Sequence, residues 1–155
     1  MKYRKLGSTG LLVSEIGLGC EGFAEDECRN AKRLLDEAES QGINYFDLYA
    51  SDPEVRASVG EALRGRREKF MIQSHVCSVW KDGQYKRTRN IDEVKAGMEE
   101  MLSLLQTDYI DVGMIHYVDS VKDWHTVADG PVLAYVKELK EKGVIRHIGL
   151  SSHNP

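Results

Sequence analysis

Short apolar runs recur along the chain, and each ends in a small or polar residue. This recurrence constrains the fold more than any single motif. The ends of the runs are 28 to 41 residues apart and lie at Gly19, Asp47, His75, His116 and Ser151. Between consecutive ends lies a segment with helical apolar spacing. Such repeats place parallel strands side by side, in either an open doubly wound sheet or part of a (β/α)8 barrel.

Capping residues predict where several helices begin and end. Asp52 is a favourable N-cap and Pro53 suits the first helical position, so a helix from Pro53 to Leu63 is expected. Asp47 then lies at the carboxyl end of a strand that begins at Asn44, although a carboxylate there could simply cap a loop. The other predicted helices run from a cap at Asp26 to Gln41 with Gly42 at C′, from Ile91 to Leu105 after Asn90, and from Val132 to Lys142 after Pro131.

Turn residues divide the rest of the chain. Gly7 to Gly10 lie between two short runs and predict an N-terminal hairpin. Cys20 to Phe23 is expected to be a loop. The polar stretch from Val76 to Asn90 contains Asp82-Gly83 and could form a second hairpin, whereas Asp119 to Gly130 is expected to be irregular.

Composition narrows the classes of function. The chain has 155 residues, the size of one domain, and its formal net charge of -4 argues against nucleic-acid or anionic-membrane binding. No apolar run approaches the roughly 20 residues that span a bilayer, and the N-terminus lacks the apolar core of a signal peptide. Three cysteines without a C-x-x-C pair suit a reducing compartment, so a cytoplasmic protein is expected.

Polar side chains follow the predicted strands. In a barrel the carboxyl ends of all strands face one mouth, so these residues would converge although they are far apart in sequence. One histidine at a strand end is more often structural, but four polar strand ends in succession favour a functional site. The residues expected at this mouth are Asp47, Tyr49, His75, His116, Ser151 and Ser152.

A dinucleotide-binding open sheet is the weaker alternative. Gly17 to Gly22 contains the glycines of a G-x-G-x-x-G pattern but runs into a loop before the next helix, which weakens this interpretation. An open-sheet binding domain complete at this length would be monomeric and without exposed apolar edges.

Ordered motifs cover nearly the whole chain, at Tyr3–Leu11, Val13–Gly19, Gly42–Asp47, Val59–Leu63, Asp108–His116 and Gly143–Ser151. They resemble those of the aldo-keto reductases. The resemblance implies a (β/α)8 barrel that transfers hydride from NADPH to the carbonyl of a small substrate, with an Asp, Tyr, Lys and His tetrad at the mouth. Asp47 and His116 match two tetrad positions. Asp52 stands where the tyrosine is expected, and His75 stands where the lysine is expected.

The two departures matter for the chemistry. Carbonyl reduction needs a proton donor, and an aspartate ionised at neutral pH cannot serve as one. One hypothesis is that His116, supported by His75, donates the proton, since histidine titrates near neutral pH. Tyr49 is the second candidate donor, because it lies two residues from Asp47 and would share its strand face.

The resemblance also implies a nicotinamide site. Ser151 matches the serine that contacts the carboxamide, and Ser152 replaces the usual asparagine. The residues expected to line the cofactor are Gly19, Cys20, Asp47, Ser151 and Ser152.

Two segments resemble a particular branch of the family, whose longer members end in a cysteine-rich, ferredoxin-like iron–sulfur segment. They are Asp47–Glu54 and the ending Gly149–Pro155. The three cysteines lack cluster spacing, so no metal is assigned to this chain.

Length adds a further expectation. A family barrel has eight β/α units and about 250 residues, whereas this chain of 155 residues contains five such units. Residues 1–155 are therefore expected to form one partial barrel, the amino-terminal part. By resemblance, the groups for the adenosine and its 2′-phosphate lie elsewhere, so this chain alone should hold NADPH poorly. Open edge strands predict a homo-oligomer, association with a missing carboxyl-terminal half, or a truncated product.

Two functions remain open from the sequence. An NADPH-dependent oxidoreductase is favoured by Asp47, His116 and Ser151. A non-catalytic barrel fragment that acts as a binding or assembly module is favoured by Asp52 and His75 in the tetrad positions.

Overall fold

The computed structural model describes residues 1–24 and 30–154. The chain begins with an antiparallel hairpin of β1 (Tyr3–Lys5) and β2 (Leu12–Ser14). Gly7 and Gly10, with φ of 53° and 80°, adopt the left-handed backbone of the turn. The predicted N-terminal hairpin is therefore confirmed.

A five-stranded parallel sheet forms the centre of the molecule. Its strands are β3 (Leu18–Gly19), β4 (Tyr45–Leu48), β5 (Met71–Val76), β8 (Ile110–Ile115) and β9 (Ile145–Leu150). They lie in the order β3-β4-β5-β8-β9, so each new strand is added on the same side of the last. A doubly wound sheet reverses its strand order at a switch point, whereas this sheet does not. The barrel-type alternative is confirmed.

A second hairpin lies between β5 and β8. It consists of β6 (Ser78–Lys81) and β7 (Gln84–Arg87), as Asp82-Gly83 predicted. Asp82 and Gly83 have φ of 54° and 74°, as a two-residue type I′ turn requires.

Five helices connect the strands in the described part of the chain. They are α1 (Ala31–Ser40), α2 (Pro53–Leu63), α3 (Ile91–Leu105), α4 (Val121–Ala128) and α5 (Pro131–Glu141). The predicted bounds of α2, α3 and α5 are correct to within one residue. The predicted cap Asp26 lies outside the described residues, and the described helix α1 has Asn30 as its N-cap. Gly42 follows α1 with φ of 79°, as expected for C′.

Two local predictions are wrong. Residues 119–130 are not irregular, because α4 forms there after Ser120, whose hydroxyl accepts a hydrogen bond from the Asp123 N–H at 3.0 Å. The helix has only eight residues, and Val127 is its one buried residue. The loop expected at Cys20–Phe23 is instead a short 3-10 helix, Glu21–Ala24.

The core lies where the sheet meets its helices. Phe46 stacks on Phe70 with ring centroids 4.8 Å apart, and both are buried. The apolar stripe of α3 is buried as predicted, at Val94, Met98, Met101 and Leu105. Burial of this stripe fixes α3 and the hairpin that precedes it.

The amino end of the sheet is closed by a charged cluster around Asp111, which is 1% exposed. Its carboxylate accepts hydrogen bonds from the Ile72 N–H, Arg67 Nη2 and Arg146 Nη1, each at 2.9 Å. The two guanidinium groups lie over the Tyr109 ring at 4.2 and 3.8 Å. Every charge in this cluster has a partner.

Across residues 1–24 and 30–154, no helix has both the length and the apolar character needed to cross a membrane.

Candidate active site

Three predicted site residues meet at the carboxyl end of the sheet. Asp47 and His75 are the next-to-last residues of β4 and β5, and His116 directly follows β8. Asp47 Oδ1 lies 3.3 Å from His75 Nε2, and His75 Nδ1 lies 2.7 Å from His116 Nδ1. The predicted convergence of these three side chains is therefore observed.

Tyr85, on β7, adds a hydroxyl that the sequence did not suggest. Its Oη lies 2.7 Å from His116 Nε2, and the residue is 37% exposed. Asp82-Gly83 predicted the hairpin that carries Tyr85. No sequence pattern indicates how this hairpin docks or which face Tyr85 occupies.

The hairpin is held in place by the first turn of α3. The Glu93 carboxylate accepts hydrogen bonds from Lys81 Nζ at 2.6 Å, Lys86 Nζ at 3.1 Å and Thr88 Oγ1 at 2.5 Å. These three donors hold the pKa of Glu93 down to about 2. A single carboxylate thus joins both strands of the hairpin to the helix and positions Tyr85.

Two more tyrosines surround the histidines. The Tyr49 ring lies 5.2 Å from the His116 ring and 5.6 Å from the His75 ring. Its hydroxyl is 3.4 Å from the Tyr117 hydroxyl, and the Tyr117 ring stacks on His116 at 3.7 Å. Tyr49 therefore packs against the histidine rings, and its hydroxyl pairs with Tyr117.

His116 lies in surroundings that disfavour positive charge. It is fully buried, and that burial, followed by His75, Arg89 and Arg87, lowers its pKa to about 3. Arg89 Nη2 donates to the carbonyl oxygens of His116 and Tyr117 at 2.5 and 2.9 Å. The imidazole of His116 is consequently neutral at neutral pH, so it is poorly suited to donate a proton as an imidazolium.

The predicted cofactor residues are spread along the same edge. Gly19 pairs with Asp47 in the sheet, and the Cys20 N–H donates to the Asp47 carbonyl at 2.9 Å. Burial, with a smaller contribution from the Asp47 carboxylate, raises the pKa of the Cys20 thiol to about 12. Ser151 Oγ accepts from the Tyr117 N–H at 3.0 Å, whereas Ser152 Oγ donates to the Asn154 carbonyl at 2.9 Å in an exposed turn.

Asp52 acts as a helix cap. Its carboxylate accepts a hydrogen bond from the Glu54 N–H at 2.8 Å and begins α2, as predicted. The Asp52 carboxylate is therefore already used to cap a helix.

In the part of the chain that the structure describes, no group of three or more His, Cys, Asp or Glu side chains could hold a metal ion.

Comparison with protein families gives a match over residues 15–155 to the model described as the aldo/keto reductase family. The uncharacterized oxidoreductase YqkF of Bacillus subtilis is 35% identical over 100% of this chain and 50% of its own length. The aldo-keto reductase YhdN of the same organism is 29% identical over 98% of this chain and 47% of its own length. The chain thus spans about half the length of these curated relatives.

Solved structures give the same result. The holo form of the aldo-keto reductase AKR11C1 from Bacillus halodurans superposes with a TM-score of 0.84 at 35% identity, over 100% of this chain and 51% of its own. The putative aldo-keto reductase PA4992 from Pseudomonas aeruginosa superposes with a TM-score of 0.83 at 33% identity, over 97% and 60%. Both matches agree with the five-strand parallel architecture.

Proposed function

The chain belongs to the aldo/keto reductase family, and we propose that it carries the proton-transfer part of an NADP(H)-dependent oxidoreductase that acts on a small carbonyl substrate. The main support is the contact of Asp47, His75 and His116 at the carboxyl end of a parallel sheet, the usual position of an active site in this architecture. Local packing does not require two buried imidazoles in contact with each other.

The residues present fit the nicotinamide end of the cofactor. Ser151 Oγ accepts from the Tyr117 N–H, which leaves its own proton free to donate to a carboxamide oxygen. Asp47 Oδ1 is buried without a hydrogen-bond partner at the same edge. When bound, reduced nicotinamide would supply the hydride, while Ser151 would orient it.

A non-catalytic binding module is the second candidate function. The Asp52 carboxylate caps α2, so the position of the family tyrosine contributes no proton donor. This candidate predicts binding of a small molecule without turnover.

We also propose that the chain associates with itself or with a further barrel segment. The edge strands β3 and β9 each have one neighbour in the sheet, and Leu150 on β9 is exposed.

A cytoplasmic location is proposed as well, since Cys20 and Cys77 are free thiols. Placement in the iron–sulfur branch is a proposal that rests only on the resemblance of Asp47–Glu54 and Gly149–Pro155.

The test combines calorimetry of NADPH binding, light scattering on the same sample, and loss of NADPH absorbance with a panel of small aldehydes and ketones. We expect one NADPH per chain in an associated species, with turnover that falls at least about 10²-fold in His116→Gln. His125→Gln is the matched control, because His125 lies exposed on α4. Absence of NADPH binding, or full turnover by His116→Gln, would contradict the proposed function. Binding without turnover would favour the binding module.

A further inference from the structure

A line of polar contacts connects the Tyr85 hydroxyl with the Asp47 carboxylate. The three atom pairs are Tyr85 Oη and His116 Nε2 at 2.7 Å, His116 Nδ1 and His75 Nδ1 at 2.7 Å, and His75 Nε2 and Asp47 Oδ1 at 3.3 Å. The last pair is looser than a hydrogen bond, and neither of its atoms has a hydrogen-bond partner among the described residues. These four residues are called the two-histidine relay.

Counting protons gives the direction of each contact. Only one proton fits between the two Nδ1 atoms. If it resides on His116, the neutral His116 has a bare Nε2 that accepts from Tyr85, and His75 presents Nε2–H to the carboxylate. If it resides on a neutral His75, a bare Nε2 faces the Asp47 carboxylate and the two lone pairs repel. The neutral relay therefore has one favourable arrangement, in which Tyr85 donates inward.

One added proton reverses two of the three contacts. His75 then carries protons on both nitrogens, donates to His116 Nδ1 and faces the Asp47 carboxylate with its Nε2–H. His116 stays neutral with its proton on Nε2, which donates to the Tyr85 oxygen. The Tyr85 proton is then no longer needed for the contact with His116, and Tyr85 is 37% exposed.

We propose that Tyr85 is the acid–base residue of this site, and that the proton occupancy of the two-histidine relay decides whether its hydroxyl donates or accepts. This inference rests on the oxidoreductase function proposed above. With the relay protonated, Tyr85 donates to a carbonyl oxygen. With the relay neutral, its oxygen accepts a proton from an alcohol.

In carbonyl reduction, the carbonyl carbon would accept a hydride with its electron pair from bound reduced nicotinamide dinucleotide, and the carbonyl π pair would move to oxygen. Tyr85 breaks its O–H bond and gives that proton to the oxygen, and the tyrosyl oxygen takes the Nε2 proton of His116. His116 Nδ1 then takes the proton of His75 Nδ1. The products are an alcohol, oxidised nicotinamide and a neutral relay, and alcohol oxidation is the reverse.

The surroundings place the added charge on His75. Besides the relay itself, the described titratable and charged groups that lie against the histidines or act on them are Tyr49, Arg87, Arg89, Tyr117 and His153. Among the described residues, Cys20 also lies near Asp47, and Glu21 acts on Tyr49 and Tyr117. The cationic groups Arg87 and Arg89, together with burial, disfavour charge on His116. The Asp47 carboxylate lies on the opposite side of the pair, against His75. A proton entering the relay is therefore stabilised next to Asp47.

Nitrogen-15 NMR of the imidazoles tests the relay on the 155-residue chain without cofactor. As the pH is lowered, we expect His116 to change from the Nδ1–H to the Nε2–H tautomer while neutral, together with protonation of His75. Asp47→Asn should move this change to lower pH, because the protonated relay loses its carboxylate. A His116 tautomer that stays constant while His75 is protonated would overturn the relay.

Kinetics test the role of Tyr85. Tyr85→Phe should lower kcat at least about 10²-fold with an unchanged Kd for NADPH. Tyr3→Phe is the matched control, since it removes a hydrogen-bonded, partly exposed hydroxyl from the other hairpin, where Tyr3 Oη donates to the Gly42 carbonyl. If the wild type and Tyr85→Phe turn over equally, the inference fails while the proposed function stands. If the wild type shows no turnover, the acid–base role fails with the proposed function, and the NMR result still decides the relay.

Discussion

Asp111 and Asp47 lie at opposite ends of the same sheet and differ in how their charge is compensated. Asp111 is buried and accepts from one backbone N–H and two guanidinium groups. Asp47 has a side chain that is 37% exposed, and its buried Oδ1 faces only His75 Nε2. At the amino end, the Asp111 carboxylate thus holds the strands together. At the carboxyl end, the Asp47 carboxylate keeps an oxygen that can accept a further hydrogen bond.

The arginines at the two ends show the same contrast. Arg67 and Arg146 bind the Asp111 carboxylate directly. Arg89 instead donates to the carbonyls of His116 and Tyr117 and has no carboxylate partner within residues 1–24 and 30–154. After burial and His75, its charge contributes to lowering the pKa of the neighbouring His116 imidazole.

The largest expected effect comes from breaking the amino-end cluster. Asp111→Asn should lower the free energy of unfolding by about 3–5 kcal/mol, because the buried Arg67 guanidinium loses its counter-charge. Urea denaturation measures the change. Asp108→Asn, an exposed neighbour, should stay within about 0.5 kcal/mol of the wild type. A loss below about 1 kcal/mol for Asp111→Asn would show that the two ends do not differ in this way.

The pH dependence of stability should identify the carboxyl end. The pKa of His116 is about 3 in the folded protein, against 6.5 for an ordinary histidine, so between these values only the unfolded chain binds the proton. The free energy of unfolding should therefore fall as the pH drops below about 6.5, by at most about 1.4 kcal/mol per pH unit.

His116→Gln should remove this contribution. The free energy of unfolding of the wild type should therefore increase relative to that of the variant as the pH rises from about 4 to 7. The measurement is urea denaturation across that pH range. His125→Gln should keep the wild-type profile. Parallel profiles for the wild type and His116→Gln would contradict the neutral, buried imidazole.

The smallest expected effect sharpens the comparison. Asp47→Asn should change the free energy of unfolding by less than about 1 kcal/mol, because Oδ1 has no hydrogen bond to lose and an amide oxygen can still face His75. The same denaturation experiment gives this value beside that of Asp111→Asn. Equal losses for the two variants would mean that Asp47 is a structural carboxylate as well.

Local chemistry explains which parts of the fold the sequence predicted well. Asp52 and Asn90 cap α2 and α3 through contacts with residues two or three positions away. Asp82-Gly83 predicted a hairpin because its turn requires positive φ at both positions. Helix α4 was missed because it is short, at eight residues, and lies in a polar stretch of which only Val127 is buried within the helix.

The convergence of Asp47, His75 and His116 could be predicted for a different reason, namely that parallel strands end at one edge. The sequence alone determined this edge, its polar residues and the helices behind it, because each depends on periodicity or on contacts between near neighbours. Only the tertiary structure decided that Tyr85 meets His116 across 31 residues of sequence. That contact depends on how the hairpin docks on α3 through Glu93, which no local pattern specifies. The same holds for the contrast between Asp47 and Asp111, because both are aspartates on strands and only burial and their arginine partners distinguish them.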